Sequence, residues 1–162
     1  MADKKQSTLM KFLATSLAVI GLSGAGASSA PAPSRNMDLM GAIAREIVNC
    51  GELRNIDWVE VSAIFSIDSD GDVDESYGYA YDASGKAHAA TFLYDGVERE
   101  VKAYREWLRQ PGDKGFIKML FQFNRETRRV NADFEYEDPL RWQVTPKNLD
   151  VIVGELRPKL GT

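Results

Sequence analysis

The feature that most constrains this chain is a strict two-residue alternation in its second half. Val130, Ala132, Phe134 and Tyr136 alternate with Asn131, Asp133, Glu135 and Glu137, and just upstream Ile117, Met119, Phe121 and Phe123 alternate with Lys118, Gln122 and Asn124. Only an extended backbone sends every second side chain to the same side, so both runs read as strands. The turn at 125–128 that joins them is too short for a crossover connection, which makes them antiparallel neighbours.

The same period appears earlier. Val59, Val61, Ala63, Phe65 and Ile67 point one way from Trp58 onward while Glu60, Ser62 and Ser66 point the other, the pattern of a half-buried strand. Asp70 and Gly71 then mark a hairpin turn into a second strand from Val73 to Tyr81, with Tyr77, Tyr79 and Tyr81 on one face. A third strand, about 87–94, follows the turn at 83–86.

Three stretches instead show the helical period. Leu39, Ile43 and Ile47 recur behind Asn36 as N-cap, with Gly51 closing the helix. Val97, Val101, Tyr104 and Leu108 form a second buried stripe after Asp95 and Gly96, ended by Pro111 and Gly112. Leu149, Ile152, Val153 and Leu156 form a third, with Thr145 as N-cap and Pro146 at the first helical position. The expected fold class is α+β: a five-stranded antiparallel sheet with three helices packed on it, in the order α-βββ-α-ββ-α, the helices covering one face.

Two segments are expected. Residues 1–36 carry Lys4, Lys5 and Lys11 ahead of an apolar stretch from Phe12 to Leu22, then small residues and Pro31 and Pro33, the layout of a secretory signal peptide and linker. The apolar stretch, about eleven residues, is too short to span a bilayer as a helix. Cleavage fits after Ala27 or after Ala30, neither followed by the cysteine a lipoprotein needs, and Met10 is an alternative start. The mature form is then periplasmic or secreted without a stable membrane anchor; if the segment is retained as an amphipathic helix and linker, the protein is cytoplasmic. Residues 37–162 form a single domain, within the usual size for one packed core in a chain of 162 residues with 44% hydrophobic content.

Charge narrows the partners. The whole chain carries a net −4, but 1–36 is basic, leaving 16 basic and 23 acidic groups in 37–162, a net of −7. Such a domain repels nucleic-acid phosphates and attracts basic protein surfaces. The sole cysteine, Cys50, cannot form an internal disulfide, so burial must hold the domain together.

Few residues invite bond-making chemistry. His88 is the only histidine and has no cysteine or second histidine at metal-ligand spacing. Cys50 ends a helix with no histidine near it in sequence and reads as a small buried residue. The acidic run from Asp68 to Glu75 fails as a calcium loop: with Gly71 at the sixth place, Ser66 and Tyr77 fall at the first and twelfth, where carboxylates belong. Asp133, Glu135 and Glu137 are spaced as a solvated or docking face rather than an acid–base pair. No phosphate loop or nucleophile elbow occurs, and no catalytic residue, metal or cofactor is expected.

The run Ile56, Asp57, Trp58, Val59, Glu60, Val61, followed by an acidic glycine turn and a tyrosine-rich strand, resembles the opening of the YezG/EsaG-type immunity proteins. Phe121, Phe123, Arg125 and Glu126, then Val130, Phe134, Tyr136 and Asp138, look like that family's paired strands, and the helix with Trp107 and Leu108 takes the place of its middle helix. The resemblance spans about 38–157 and rests on structural aromatic motifs. Two features depart from it: the signal-like N-terminus, and the arm through Pro139 and Trp142.

The resemblance implies an immunity protein, or antitoxin, that binds a cognate antibacterial toxin, such as a nuclease's basic catalytic domain, and occludes it without catalysis. Candidate contacts are Asp70, Asp72 and Asp74 at the hairpin tip and Asp133, Glu135 and Glu137 on the last strand. The alternative is an exported non-catalytic module that binds a peptide or small ligand in a pocket formed by Tyr77, Tyr79, Tyr81 and Trp142.

Overall fold

The computed structural model describes residues 34–161 together with Ala18 and Val19. The elements run β1 (Ala18–Val19), α1 (Arg35–Val48), β2 (Trp58–Ile67), β3 (Val73–Asp82), β4 (Ala87–Ala90), α2 (Asp95–Leu108), β5 (Lys118–Asn124), β6 (Arg129–Glu135) and α3 (Leu149–Glu155). Strands β2 to β6 and the three helices reproduce the expected α-βββ-α-ββ-α order. Every neighbouring pair is antiparallel, and the spatial order is β1-β6-β5-β2-β3-β4. The short β1, which pairs Ala18 with Val130, is an addition that the signal-like reading of its segment did not foresee. The rest of that segment, with its cleavage points and Met10, lies outside the described residues.

The helices cover both faces of the sheet, not one. On the first face, Leu39, Ile43 and Ile47 of α1 and Val97, Val101 and Tyr104 of α2 pack on Val61, Ala63 and Phe65 of β2, Met119, Phe121 and Phe123 of β5, and Val130 and Ala132 of β6. On the second face, Ile152 and Leu156 of α3 meet Ile64, Tyr79, Tyr81 and Leu120. Strand β2 is therefore buried on both sides, and Glu60, Ser62 and Gln122, which alternate as if toward water, are buried.

These polar side chains hold the helix above them. The last carbonyls of a helix have no partner within it. Here Leu156 O accepts from Ser62 Oγ and, at 2.8 Å, from Gln122 Nε2, while Val153 O accepts from Tyr81 OH at 2.8 Å. Glu60 Oε1 accepts from Asn124 Nδ2 at 3.1 Å, and its other oxygen lies 3.5 Å from the Arg157 guanidinium. The following stretch is sealed down as well, since Pro158 and Leu160 are buried and Thr127 Oγ1 donates to Leu160 O at 2.9 Å.

Turns and caps follow local chemistry, with some displaced boundaries. Gly71 adopts φ +90° at the β2–β3 tip, where Asp68 Oδ1 accepts the amides of Asp70 and Asp72 at 2.9 Å each. The cap of α1 is Ser34, whose Oγ accepts from Met37 N; Asn36 instead accepts the Tyr104 hydroxyl at 2.5 Å. Helix α3 starts after Asn148, not at Thr145, because Asn148 Oδ1 folds back to accept from Thr145 N at 2.7 Å and makes a turn there. Strand β4 stops at Ala90, shorter than expected, as Thr91 and Phe92 turn to bond Ser76.

Candidate functional site

Strand register brings two acidic stretches, distant in sequence, to one end of the sheet. Glu75 pairs with Ser66, Ser66 with Lys118 and Lys118 with Glu135, so the β2–β3 tip and the chain leaving β6 emerge at the same end of the sheet, with β5 between them. Asp70, Asp72 and Asp74 are exposed at the tip, and Glu137 and Asp138 are exposed beyond β6. Asp113 is close enough to reinforce, behind burial, the upward shift of the Tyr136 hydroxyl.

Not all six predicted acids are free to meet a partner. Asp72 pairs with Lys102, whose ammonium is held above its ordinary range by that bond. Glu135 is a structural residue: its Oε1 accepts the amides of Tyr136, Glu137 and Asp138 at 2.9–3.0 Å, and its Oε2 lies 3.0 Å from Arg141 Nη1. Burial opposes ionisation of Glu135, but the backbone amides of Asp138 and Glu137, with Arg141 and the Tyr136 amide, outweigh it and bring the carboxyl down to about 2. Asp133 is half-buried beside Asn131. Asp70, Asp74 and Glu137 are exposed and in no ion pair among the described residues.

A cleft of about 840 Å³ opens beside the same end, between β3 and the arm at 139–144. The four aromatics expected to share a pocket separate here. Tyr77 and Tyr79 line this cleft; Trp142 lines a smaller one of about 280 Å³ with Leu140 and Ile152; Tyr81 is buried under α3. Tyr77 OH donates to Trp142 O at 3.1 Å and so ties the arm to β3, and burial, with the Glu75 charge, pushes this hydroxyl up to about 12. Lys118 also lines the cleft, although its place in the alternation gave no sign of it.

His88 Nε2 lies 2.9 Å from Asp82 Oδ2, and this bond leads the forces that hold the Asp82 carboxyl far below its usual range. The neighbouring Ser84 hydroxyl donates to Asp82 Oδ1 at 2.6 Å, so serine and histidine both lean on the carboxylate and the histidine does not activate the hydroxyl. The group caps the β3–β4 turn. Cys50 is buried, with its thiol 3.8 Å from Thr91 O. Among the described residues no three His, Cys, Asp or Glu side chains gather as metal ligands, and no helix is long and apolar enough to cross a membrane.

No protein-family model matches the sequence, and no curated protein matches it.

Proposed function

We propose that this protein is a stoichiometric inhibitor that sets the acidic end of its sheet against a basic surface of another protein, in the manner of the immunity proteins its strands resemble. The observation that carries this reading is the placing of the β2–β3 tip and the end of β6 at one end of the sheet, with the start of β5 between them, which gathers two short acidic runs on that end. Cations are present at this end: Lys102 and Arg141 are spent on Asp72 and Glu135, Arg105 beside the tip donates to the Phe116 and Lys114 carbonyls, and Lys118 is buried. Asp70, Asp74 and Glu137 are left to steer a positive partner, and a contact of about 800 Å² per partner suffices for a specific complex. The mechanism needs no bond to be made or broken. A toxin whose catalytic face is basic fits the charge.

The test is co-expression with the product of the adjacent gene, followed by co-purification and stopped-flow association. The triple variant Asp70→Lys, Asp74→Lys, Glu137→Lys is expected to slow association about 10- to 100-fold at low salt, with the gap closing at high salt. Unchanged association in that variant would show that this acidic end is not the contact surface.

A further inference from the structure

We infer that the cleft between β3 and the 139–144 arm is a binding site for a carboxylate, and that the Lys118 ammonium is the group that receives it. Lys118 is only 7% exposed. An ammonium has three N–H donors. The one hydrogen bond of the Lys118 ammonium among the described residues is to Arg141 O at 3.2 Å, and no carboxylate of those residues lies within ion-pair distance of it. Its cross-strand partner Glu135 is taken up by Arg141 and three backbone amides, and the face of Tyr77 lies 5.9 Å from ammonium to ring centroid. Taking a cation out of water without a counter-charge is costly, and a carboxylate in the adjoining cleft removes that cost.

The rest of the lining selects the ligand. The cleft volume is that of a site for a small organic molecule or the last few residues of a peptide. Tyr77 and Tyr79 offer ring faces, and the Tyr79 hydroxyl makes no hydrogen bond among the described residues, which leaves a second donor. Pro139 and Val144 close the arm side, and Glu52, Asp74 and Glu75 stand around the mouth. Those three acids repel a phosphate or a dicarboxylate but tolerate a single negative charge that reaches past them to Lys118. The fitting ligand is a monocarboxylate with an aromatic or apolar body, either a free organic acid or the C-terminus of a peptide. This site goes beyond the inhibitor reading and does not depend on it.

Calorimetric titration of the full chain with N-acetylphenylalanine, N-acetylphenylalanine amide and an acetylated Ala-Ala-Phe peptide with a free C-terminus tests it. The acids are expected to bind at least about tenfold more tightly than the amide, and Lys118→Met to lose at least about tenfold for the acids without a fall in melting temperature. The double variant Asp74→Asn, Glu75→Gln is expected to tighten acid binding about 2- to 5-fold by removing like charge at the mouth, which a purely structural Lys118 would not produce. A peptide that outbinds N-acetylphenylalanine assigns the site to chain ends; equal or weaker binding assigns it to free acids. Equal affinity for acid and amide, no binding at millimolar concentration, or unchanged affinity in Lys118→Met would each overturn the assignment. Capture of the protein partner by Lys118→Met reports separately on the inhibitor reading.

Discussion

The two faces of the sheet are built on different principles. Under α1 and α2 the interface is predominantly apolar, with Phe65, Phe121, Met119 and Ile43 fully buried. Under α3 a few apolar contacts are interleaved with buried Ser62, Gln122, Asn124, Glu60 and Lys118. Dispersion and area burial hold the first face and scarcely depend on direction. Hydrogen bonds hold the second, and they fix the position of α3 more than they add to stability. The face built by direction is also the one that carries the cleft and the tied arm.

Mutation can break or sharpen this contrast. The largest expected effect is on the apolar face, where Phe121→Ala should cost about 3–5 kcal/mol in urea unfolding. On the other face Ile152→Ala should cost about 2 kcal/mol, at the low end for such a truncation because α3 is a short helix with solvent beside it. A cost equal to that of Phe121→Ala would erase the distinction between the faces. Removing both donors to Leu156 O, with Ser62→Ala and Gln122→Ala together, should cost about 2 kcal/mol and raise amide exchange in α3 before any other element. Tyr77→Phe should cost about 1 kcal/mol or less, yet free the arm, seen as a change in Trp142 fluorescence.

A pH-dependent effect is expected in acid. Glu135 has a folded pKa of about 2 against an ordinary 4.5, so its contribution is fully present above pH 4.5 and is lost as the pH falls toward 2. Asp82 shifts in the same direction, led by its bond to His88. The urea midpoint should therefore fall between about pH 5 and about pH 2.5, roughly the interval over which depressed carboxyls take up their protons, and Glu135→Gln should fall less steeply. A parallel fall in both proteins would show that the cap at the end of β6 does not contribute.

The order of elements was legible because hydrophobic period is a local property, and the strands at 58–67, 118–124 and 129–135 keep theirs apart from Ile64 and Leu120, two apolar residues on the otherwise polar side. Which way the polar residues faced was not legible. Ser62 and Gln122 alternate as solvent-facing residues do, and nothing in their own neighbourhood announces that carbonyls from residues 153 and 156 will arrive above them. The same limit explains the pocket. Tyr77, Tyr79 and Tyr81 share a face as their spacing requires, but Tyr79 and Tyr81 are buried in the cluster with α3, and only Tyr77 and an edge of Tyr79 are left to line the cleft. Lys118 was hidden for the same reason, since its burial depends on an arm more than twenty residues downstream. Local side chains also misled at the caps, where Asn36 and Thr145 have the right chemistry but Ser34 and Asn148 hold the right positions.

The stretch after α3 has a consequence for handling the molecule. Pro158 and Leu160 act as a clasp over the polar side of the sheet, fastened to the β5–β6 turn through Thr127. A bulky fusion attached directly behind them would tug on that clasp, loosening the helix and the arm while leaving the larger core intact. A tag there can thus yield material that looks folded by bulk spectroscopy and has nonetheless lost the fixed position of α3 and the arm.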